Sequence, residues 1–276
     1  MSFKTFFDGW LEAHRDRFAG KVVVDFPAGS GETSRVLRDL GATVLPFDLF
    51  PEFFKGEGLE CRRADIADGL PVPDAHADIV ICQEGIEHFS DQARALREFN
   101  RILKPGGLLV LTTPNYSNLR ARLSYLLAES ERFGGMMPPN ELDSVWLSAP
   151  GLTREIYFGH VFLIGIQKLR VLARLAGFRI AAVRHESVKP TSALLLPFLY
   201  PWIALANWAA YRKSLRRPSD VPYETRRRVY REVLRLNLSP RVLVDGTLFV
   251  EFEKEMDWSR VAEGLESRHK SFAEPT

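Results

Sequence analysis

The stretch KVVVDFPAGSGETS at residues 21–34 constrains the fold of this chain more than any other segment. Residues 22–24 are consecutive valines, and such a run without polar alternation is typical of a central parallel strand covered on both faces. Asp25 ends that strand, and Gly29 and Gly31 permit a sharp turn and a close approach of the backbone to a ligand. The segment therefore predicts a strand, a tight turn and a helix, an arrangement that binds nucleotide-like ligands.

Apolar strand-like runs alternate with helical patterns along most of the chain. We predict strands at 22–25, 42–47, 59–65, 77–82, 108–112, 178–183 and 247–253, helices at 35–40, 94–103 and 167–176, and a turn at 104–107. Strands that alternate with helices connect through right-handed crossovers into a mostly parallel sheet. The predicted fold class is α/β, with a Rossmann-like, doubly wound sheet.

The chain contains no internal repeat and no low-complexity linker, so we predict a single domain over residues 1–276. The alternating rhythm breaks at 115–158, where aromatic residues, glycines and a Pro-Pro pair predict a cap-like insertion. A second insertion at 189–241 is predicted to be helical, apolar and basic. Residues 3–14 carry aromatic side chains at helical spacing, and we expect this helix to pack on the core rather than form a substrate lid.

Composition and cysteine usage favour a cytoplasmic protein. The chain is 46% hydrophobic and 26% charged, which is ordinary for a globular protein, and its net charge of +2 does not by itself imply a nucleic-acid partner. Cys61 and Cys82 both lie in apolar runs, so we expect reduced, buried thiols rather than a disulfide or a metal site. The N-terminus lacks the uninterrupted apolar core of a signal peptide.

Carboxylates follow three successive predicted strands, at Asp25, Asp48 and Asp65. A nicotinamide dinucleotide is one candidate ligand, but dinucleotide folds use a third glycine where this chain has Ser34. One adenosine-bearing ligand fits better: Asp48 can accept both ribose hydroxyls, and Asp65 can accept the adenine amine with the Ile66 amide nearby. Asp25 would lie near a cationic amino-acid tail. These are the requirements of S-adenosylmethionine.

Four stretches carry a resemblance to a known family: VVVDFPAGSG, PFDLF, ADIADGLPVPDAHADIVICQEGIEHF and FNRILKPGGLLVLTTPN. From about residue 22 to 183, with a last strand near Phe249, the chain resembles the class I S-adenosylmethionine-dependent methyltransferases and is similar to the ubiquinone-pathway O-methyltransferases. The resemblance implies a seven-stranded sheet whose last strand is antiparallel. It implies cofactor contacts at Asp25, Gly29, Gly31, Asp48, Leu49, Asp65, Ile66 and Gln83. Pro27 belongs to the same loop but stands where the family usually has glycine, which removes an N–H group.

The predicted chemistry lies just beyond the fourth strand, in the sequence QEGIEH. If this segment forms a helical turn, Glu84, Glu87 and His88 share one face. One interpretation is that Glu87 and His88 only hydrogen-bond neighbouring loops. In the other, based on ubiquinone-pathway and small-RNA 2′-O-methyltransferases with a similar Glu-x-x-Glu-His and a later histidine, Glu84, Glu87, His88 and His160 bind Mg²⁺ or Mn²⁺ and activate an acceptor hydroxyl. Without a metal, His88 or His160 would be the general base, and the predicted catalytic residues are His88, His160 and Glu84.

The stretch ALLLPFLYPWIALANWAA at 193–210 is about long enough to span a bilayer. Pro197, Pro201 and Asn207 interrupt it, and it lies between strands of one sheet, which argues against a spanning helix. Because arginines and lysines follow it, 193–217 fits shallow membrane contact or a lipid-linked acceptor that carries phosphate. A helical subdomain packed on the sheet and a homodimer contact are the alternatives that the sequence leaves open.

The sequence predicts O-methylation of a small molecule, a sugar or a lipid-linked glycan, in the cytoplasm or peripherally at a membrane. The alternatives are a metal-independent N- or C-methyltransferase and a catalytically silent partner protein that only binds the cofactor. A nucleic-acid substrate is disfavoured, because TTPN at 112–115 is not the Pro-Pro-aromatic sequence of base N-methylating relatives.

Overall fold

The computed structural model describes residues 3–130, 138–146, 157–185 and 188–265. Its strands are β1 (Val22–Asp25), β2 (Thr43–Asp48), β3 (Arg62–Arg63), β4 (Ala77–Gln83), β5 (Leu103–Pro114), β6 (Val145–Trp146), β7 (Tyr157–Phe158), β8 (Phe178–Arg184) and β9 (Thr247–Lys254). Its α-helices are α1 (Phe3–Ala13), α2 (Glu32–Asp39), α3 (Gln92–Ile102), α4 (Leu119–Ala128), α5 (Ile166–Leu175), α6 (Pro190–Arg216), α7 (Tyr223–Asn237) and α8 (Pro240–Val244). Short 3₁₀ helices lie at Arg15–Arg17, Pro51–Phe53, Ile86–His88 and Trp258–Gly264.

Seven strands form the central sheet in the order β3-β2-β1-β4-β5-β9-β8. The pairs from β3 to β5 are parallel, whereas β9 runs antiparallel to both of its neighbours, β5 and β8. The predicted doubly wound α/β sheet with an antiparallel last strand is thus confirmed. The strand order reverses between β1 and β4, and ligands of such sheets bind at this switch point.

The sheet is covered on both faces, as the valine run in β1 predicts. Val23 and Val24 are fully buried in two different apolar clusters, because successive residues of a strand point to opposite faces. On one face α1 packs through Phe7 and Trp10, whose rings lie 5.5 and 4.9 Å from the ring of Phe249 in β9. The N-terminal helix is therefore part of the core, in agreement with the packing interpretation.

Several element boundaries differ from the predicted ones. The predicted turn at 104–107 lies within β5. The pairing of β5 with β4 is irregular there, because Ala77 pairs with Leu103 whereas Ile79 pairs with Leu108. The third strand is reduced to two residues at the sheet edge, and Cys61, which precedes it, is only half-buried. The prediction of two buried thiols is therefore correct for Cys82 and wrong for Cys61, because the edge strand has a neighbour on one side only.

The two predicted insertions differ in their secondary structure where they are described. The segment 115–158 contains α4 and the β6–β7 ladder, while its residues 131–137 and 147–156 lie outside the described residues. The segment 189–241 is helical and includes α6, with Pro197 and Pro201 inside it. Among the described residues, α6 is the helix with the length and composition to cross a bilayer. The division of the chain into one domain with two insertions stays a prediction.

Candidate active site

A cavity of about 1050 Å³ opens at the carboxyl ends of β1, β2 and β4. This is the edge where the strand order reverses, so the cavity lies where the topology predicts a ligand. The predicted site residues that line it are Pro27, Gly29, Asp48, Leu49, Asp65, Ile66, Gln83, Glu84 and His88. The fold thus brings the glycine loop and the ends of β2 and β4 to one cavity.

Asp48 is held rigidly at the rim of this cavity. Its Oδ2 accepts a hydrogen bond from the Gly29 backbone N–H at 2.8 Å, and its Oδ1 accepts from the Phe50 N–H at 2.8 Å. Each carboxylate oxygen has further acceptor capacity, so the group can also take two hydroxyl donors from a ligand. The backbone bonds fix its orientation before any ligand arrives, which lowers the entropic cost of binding.

The other polar residues of the cavity are also fixed by local contacts. Asp65 follows β3 and its Oδ1 accepts from the Ala67 N–H at 2.8 Å. Gln83 ends β4, and its Oε1 accepts from the Thr33 hydroxyl at 2.6 Å. The Gln83 amide is thereby oriented by α2, and Asp65 by its own turn.

Among the residues described, two predicted cofactor contacts do not line the cavity. Asp25 is only 1% exposed, and its Oδ2 accepts from the Ser34 hydroxyl at 2.5 Å. Gly31 has a φ of +83° at the start of α2, and the ring of Phe54 occupies the position that a Cβ would take. Both residues lie behind the cavity wall, so the predicted cofactor contacts at Asp25 and Gly31 stay predictions.

Burial dominates the electrostatics of Asp25. It raises the pKa of this carboxyl from 3.8 to about 7, although the Ser34 hydrogen bond lowers it, and the charge of Asp48 raises it further. The carboxyl therefore retains a proton over a range where an exposed aspartate is ionised.

Pro27, the residue that departs from the family pattern, lines the cavity beside Gly85. A Cβ built on Gly85 would overlap the Pro27 ring and lie 3.2 Å from the Cys82 sulfur. The missing side chain of Gly85 thus makes room for proline in the loop after β1. Sequence reasoning singled out Pro27 but not its dependence on Gly85.

Glu87, His88 and His160 offer ligand atoms that all lie within 4.8 Å of one another. Glu87 is fully buried, and its Oε2 accepts from the Thr113 hydroxyl at 2.9 Å. Its Oε1 is buried without a hydrogen-bond partner among the described residues. Burial raises the pKa of Glu87 to about 7, against the hydrogen bonds, which lower it. A buried carboxylate oxygen beside two imidazoles is a donor set that suits a divalent cation.

His88 is oriented by the end of the cap-like insertion. Its Nδ1 lies 2.8 Å from the Phe158 carbonyl oxygen, and because a carbonyl only accepts, Nδ1 carries the proton. In the neutral ring the lone pair is then on Nε2. Burial lowers the pKa of His88, although the backbone hydrogen bonds raise it, so the ring is neutral near pH 7.

The predicted helical face is only partly formed. A 3₁₀ helix starts at Ile86, whereas Glu84 precedes it with a φ of +47°. Glu84 is consequently not one of the residues within 4.8 Å of one another, so the described structure groups three of the four predicted ligands. The turn at Gly85 interrupts the helical spacing on which that prediction depends.

A second cavity of about 400 Å³ lies next to the first. Its lining residues are Glu84, Pro114, Asn115, Tyr116, Asn118, Arg120, Ala121, His160, Leu163, Lys189 and Gly246. Glu84 lines both cavities, His88 lines the larger and His160 the smaller. The titratable cluster therefore lies between the two cavities.

Sequence reasoning missed Tyr157, which covers part of the larger cavity. Its ring stacks on His88 at 5.3 Å and meets Phe50 edge-on at 5.4 Å. Burial raises its pKa to about 12, so the hydroxyl stays protonated. The aromatic pair at Tyr157–Phe158, just before His160, was the available signal.

A doubly wound sheet with a cavity at its switch point and an acidic residue at the end of β2 defines a Rossmann-like protein that binds a nucleotide cofactor. A family model described as "Methyltransferase domain" matches residues 4–183. The chain belongs to this methyltransferase family and is an S-adenosylmethionine-dependent methyltransferase.

Individual relatives are distant and match part of the chain. The chain is 30% identical over 166 residues to a ubiquinone biosynthesis O-methyltransferase of Xanthomonas euvesicatoria, covering 54% of this chain and 69% of that protein. It is 34% identical over 103 residues to a protein of Mycolicibacterium smegmatis named as a probable S-adenosylmethionine-dependent methyltransferase, covering 36% of this chain and 40% of that protein. A crystal structure of an S-adenosylmethionine-dependent methyltransferase from Archaeoglobus fulgidus superposes with a TM-score of 0.51 at 15% identity, covering 91% of this chain and 94% of that one. The last comparison supports the fold alone.

Proposed function

We propose that this enzyme methylates an oxygen atom of a small molecule, sugar or lipid-linked glycan, with the cofactor in the larger cavity and the acceptor in the smaller one. The observation that carries the proposal is the position of three titratable residues: Glu84 borders both cavities, His88 borders the larger and His160 the smaller. A methyl group transferred from the larger to the smaller cavity would pass these residues, which can accept a proton from the acceptor.

The residues of the larger cavity fit S-adenosylmethionine. Asp48 would accept the two ribose hydroxyls, and Asp65 and Ile66 would bind the adenine edge and face. Gly29 and Leu49 lie in the same lining and would pack against the nucleoside. When bound, the cofactor supplies a methyl group activated by a positively charged sulfur. The protein then has to align the acceptor, exclude water and remove one proton.

Oxygen is the favoured acceptor atom because the site contains a neutral base at His88. His88 has its lone pair on Nε2 and a lowered pKa, so it can take a hydroxyl proton near pH 7. His160, whose ring centroid is 5.2 Å from that of His88, is the alternative base on the acceptor side. The Xanthomonas relative is named as an O-methyltransferase, which supports the same atom type.

We further propose that Glu87, His88 and His160 hold Mg²⁺ or Mn²⁺, with Glu84 as a fourth ligand after its side chain turns towards them. The buried Glu87 Oε1, without a partner in the described part of the chain, fits such a role. The cation would lower the pKa of an acceptor hydroxyl. The residues of the cluster would then position the acceptor.

The decisive experiment adds radiolabelled cofactor to fractionated extract, with and without a chelator. Labelled product that disappears on chelation and returns with Mg²⁺ or Mn²⁺ supports O-methylation at a metal site. Transfer that is indifferent to the chelator removes the metal and favours a general base or N- or C-methylation. Cofactor binding without transfer to any fraction would contradict the enzymatic proposal and favour a silent partner protein.

Matched histidine variants test whether the two histidines take part in the reaction. His88→Ala and His160→Ala are expected to reduce turnover by about 10²–10⁴-fold, whereas His76→Ala, a histidine outside both cavities, should leave it unchanged. Equal turnover in all three variants would exclude the cluster. A cytoplasmic location, a homodimer and the exclusion of nucleic acid remain predictions from the sequence.

A further inference from the structure

We propose that the outer face of α6 is a docking surface for an anionic lipid bilayer, on which the helix lies parallel to the membrane plane. The proposal concerns a binding surface and does not depend on the proposed acceptor. It is carried by the exposure of α6, by the position of its charges and by its contacts with the rest of the protein.

An apolar stripe covers the solvent side of α6. Leu194, Phe198, Trp202, Leu205 and Trp208 are 70, 69, 70, 57 and 50% exposed. They recur every three or four positions, so they lie on one helix face. Several large apolar side chains exposed side by side on one helix face mark an interaction site.

The opposite side of the same helix makes hydrogen bonds to the rest of the protein. The Tyr200 hydroxyl donates to the Leu238 carbonyl at 3.1 Å, and the Asn237 amide donates to the Asn207 side-chain oxygen at 2.7 Å. Nearer the start of α6, the Ser192 hydroxyl accepts from the Arg120 N–H of α4 at 3.0 Å. These bonds fix the rotation of α6, and they leave the aromatic side outward.

Basic residues continue the apolar stripe. Residues 193–211 carry no charge, and Arg212 and Arg216 follow Trp208 at the same spacing of four. The Arg212 guanidinium lies 4.7 Å from the centre of the Trp208 ring. Lys213 and Arg217 line the same shallow groove of about 660 Å³ beside them. A stripe of aromatic residues that is followed by arginines and lysines matches the interface of an anionic bilayer. There the rings enter the headgroup layer and the cations contact phosphates.

The connectivity requires the helix to lie on the membrane rather than cross it. β8 and β9, which flank this segment, are neighbours in one sheet. If α6 crossed the bilayer, the chain would have to return through it by α7, which carries Arg226, Arg227, Arg228, Arg231 and Arg235. So many charges are too costly inside hydrocarbon. If α6 lies flat on the membrane, the chain does not have to pass through the bilayer at all.

A second copy of the chain fits the stripe less well than a lipid surface. α6 contains no acidic residue, so two stripes paired in parallel would bring their basic ends together. Paired antiparallel, they would set Arg212 and Arg216 against Leu194 and Phe198, again without an opposite charge. Anionic lipids supply the complementary charge that a second stripe lacks.

The surface also lies close to the smaller cavity. α4 begins beside that cavity with Arg120 and Ala121, and it contacts α6. Further along α4, Leu126 and Leu127 are exposed. Docking through α6 would therefore bring the smaller cavity near the bilayer.

The test is co-sedimentation of the full chain with vesicles of phosphatidylcholine, alone or mixed with phosphatidylglycerol. The wild type should bind the mixed vesicles, bind the neutral ones more weakly and dissociate as salt is added. The double variants Phe198→Ser/Trp202→Ser and Arg212→Glu/Arg216→Glu should each lose about tenfold or more in partitioning. Matched controls are Trp258→Ser, an exposed tryptophan elsewhere, and Arg15→Glu, and both should bind as the wild type does.

Cofactor affinity, measured by calorimetry, should be equal in all variants because none of these residues lines the larger cavity. A wild type that stays in the supernatant with mixed vesicles would overturn the proposal, as would stripe variants that still bind. A dimer that Trp202→Ser dissociates, without vesicle binding, would overturn it too and assign the face to a second copy. Methyl transfer is read separately, so failure of the docking surface is distinguishable from failure of the proposed function.

Discussion

The carboxylates at the ends of β1 and β2, Asp25 and Asp48, have different surroundings. Asp48 faces the cavity with both oxygens already bound by backbone N–H groups. Asp25, at the end of the neighbouring strand, is buried behind the loop and bonded to Ser34. The two carboxylates end equivalent strands, yet their environments assign them different roles.

Asp25 should make stability depend on pH. Its pKa is 3.8 in an ordinary environment and about 7 in the folded protein, so folding takes up a proton between these values and stability falls as pH rises from about 4 to 7. Asp25→Asn removes this pH-dependent contribution to the free energy of unfolding, which is on the order of 1–4 kcal/mol. Urea unfolding at pH 5 and pH 8 should therefore show a smaller loss of stability in Asp25→Asn than in the wild type. An equal loss in both proteins would contradict the buried, protonated carboxyl, and exposed Asp39→Asn is the control.

Asp48 should dominate cofactor affinity. Asp48→Asn keeps one acceptor oxygen and replaces the other with a donor, which opposes the ribose hydroxyl and also the Gly29 or Phe50 N–H group. We expect S-adenosylmethionine to bind about 10–100-fold more weakly, because hydrogen bonds to a charged group are lost. Calorimetry measures this change, and unaltered affinity would place the ribose elsewhere.

At the scale of elements, the site depends on the turn between β4 and α3. The strand ends at Gln83, Glu84 takes a left-handed conformation, and a 3₁₀ helix then directs Glu87 into the core. Gly85 joins these pieces under the Pro27 ring. The loop after β1 and the turn after β4 are therefore coupled through direct packing.

A double-mutant cycle tests this coupling. Gly85→Ala should destabilise the protein by about 1–3 kcal/mol, because the new methyl group overlaps the Pro27 ring. In a Pro27→Gly background the same substitution should cost less, since the ring is gone. Denaturant unfolding of the four proteins gives the interaction energy. The same cost in both backgrounds would mean that the overlap is relieved elsewhere.

At the scale of the whole molecule, the candidate centre joins segments that are far apart in sequence. Glu87 and His88 come after β4, whereas His160 comes after the cap-like insertion and is joined to them through the Phe158 carbonyl bond of His88. The smaller cavity adds residues from α4 and from the start of the helical insertion. The candidate centre thus combines residues from the sheet with residues from both predicted insertions.

The cluster should bind a divalent cation independently of activity. Electron paramagnetic resonance of added Mn²⁺ should report a bound signal in the wild type, and Glu87→Gln should weaken binding by about tenfold or more, since it removes a charged ligand. Cofactor affinity should change little, because Glu87 does not line the larger cavity among the described residues. Glu129→Gln is the exposed control. Identical Mn²⁺ binding by wild type and Glu87→Gln would refute the site.

The sequence by itself determined the doubly wound fold, the glycine loop, and the acidic residues at the end of β2 and after β3. Valine runs and strand-helix alternation reflect backbone period and burial, which are local properties that can be read along the chain. Only the tertiary structure decided that Asp25 and Gly31 lie behind the loop, that Glu84 stays outside the cluster of Glu87, and which side of α6 faces outward. Those outcomes depend on packing between distant segments, and no local period encodes such distances.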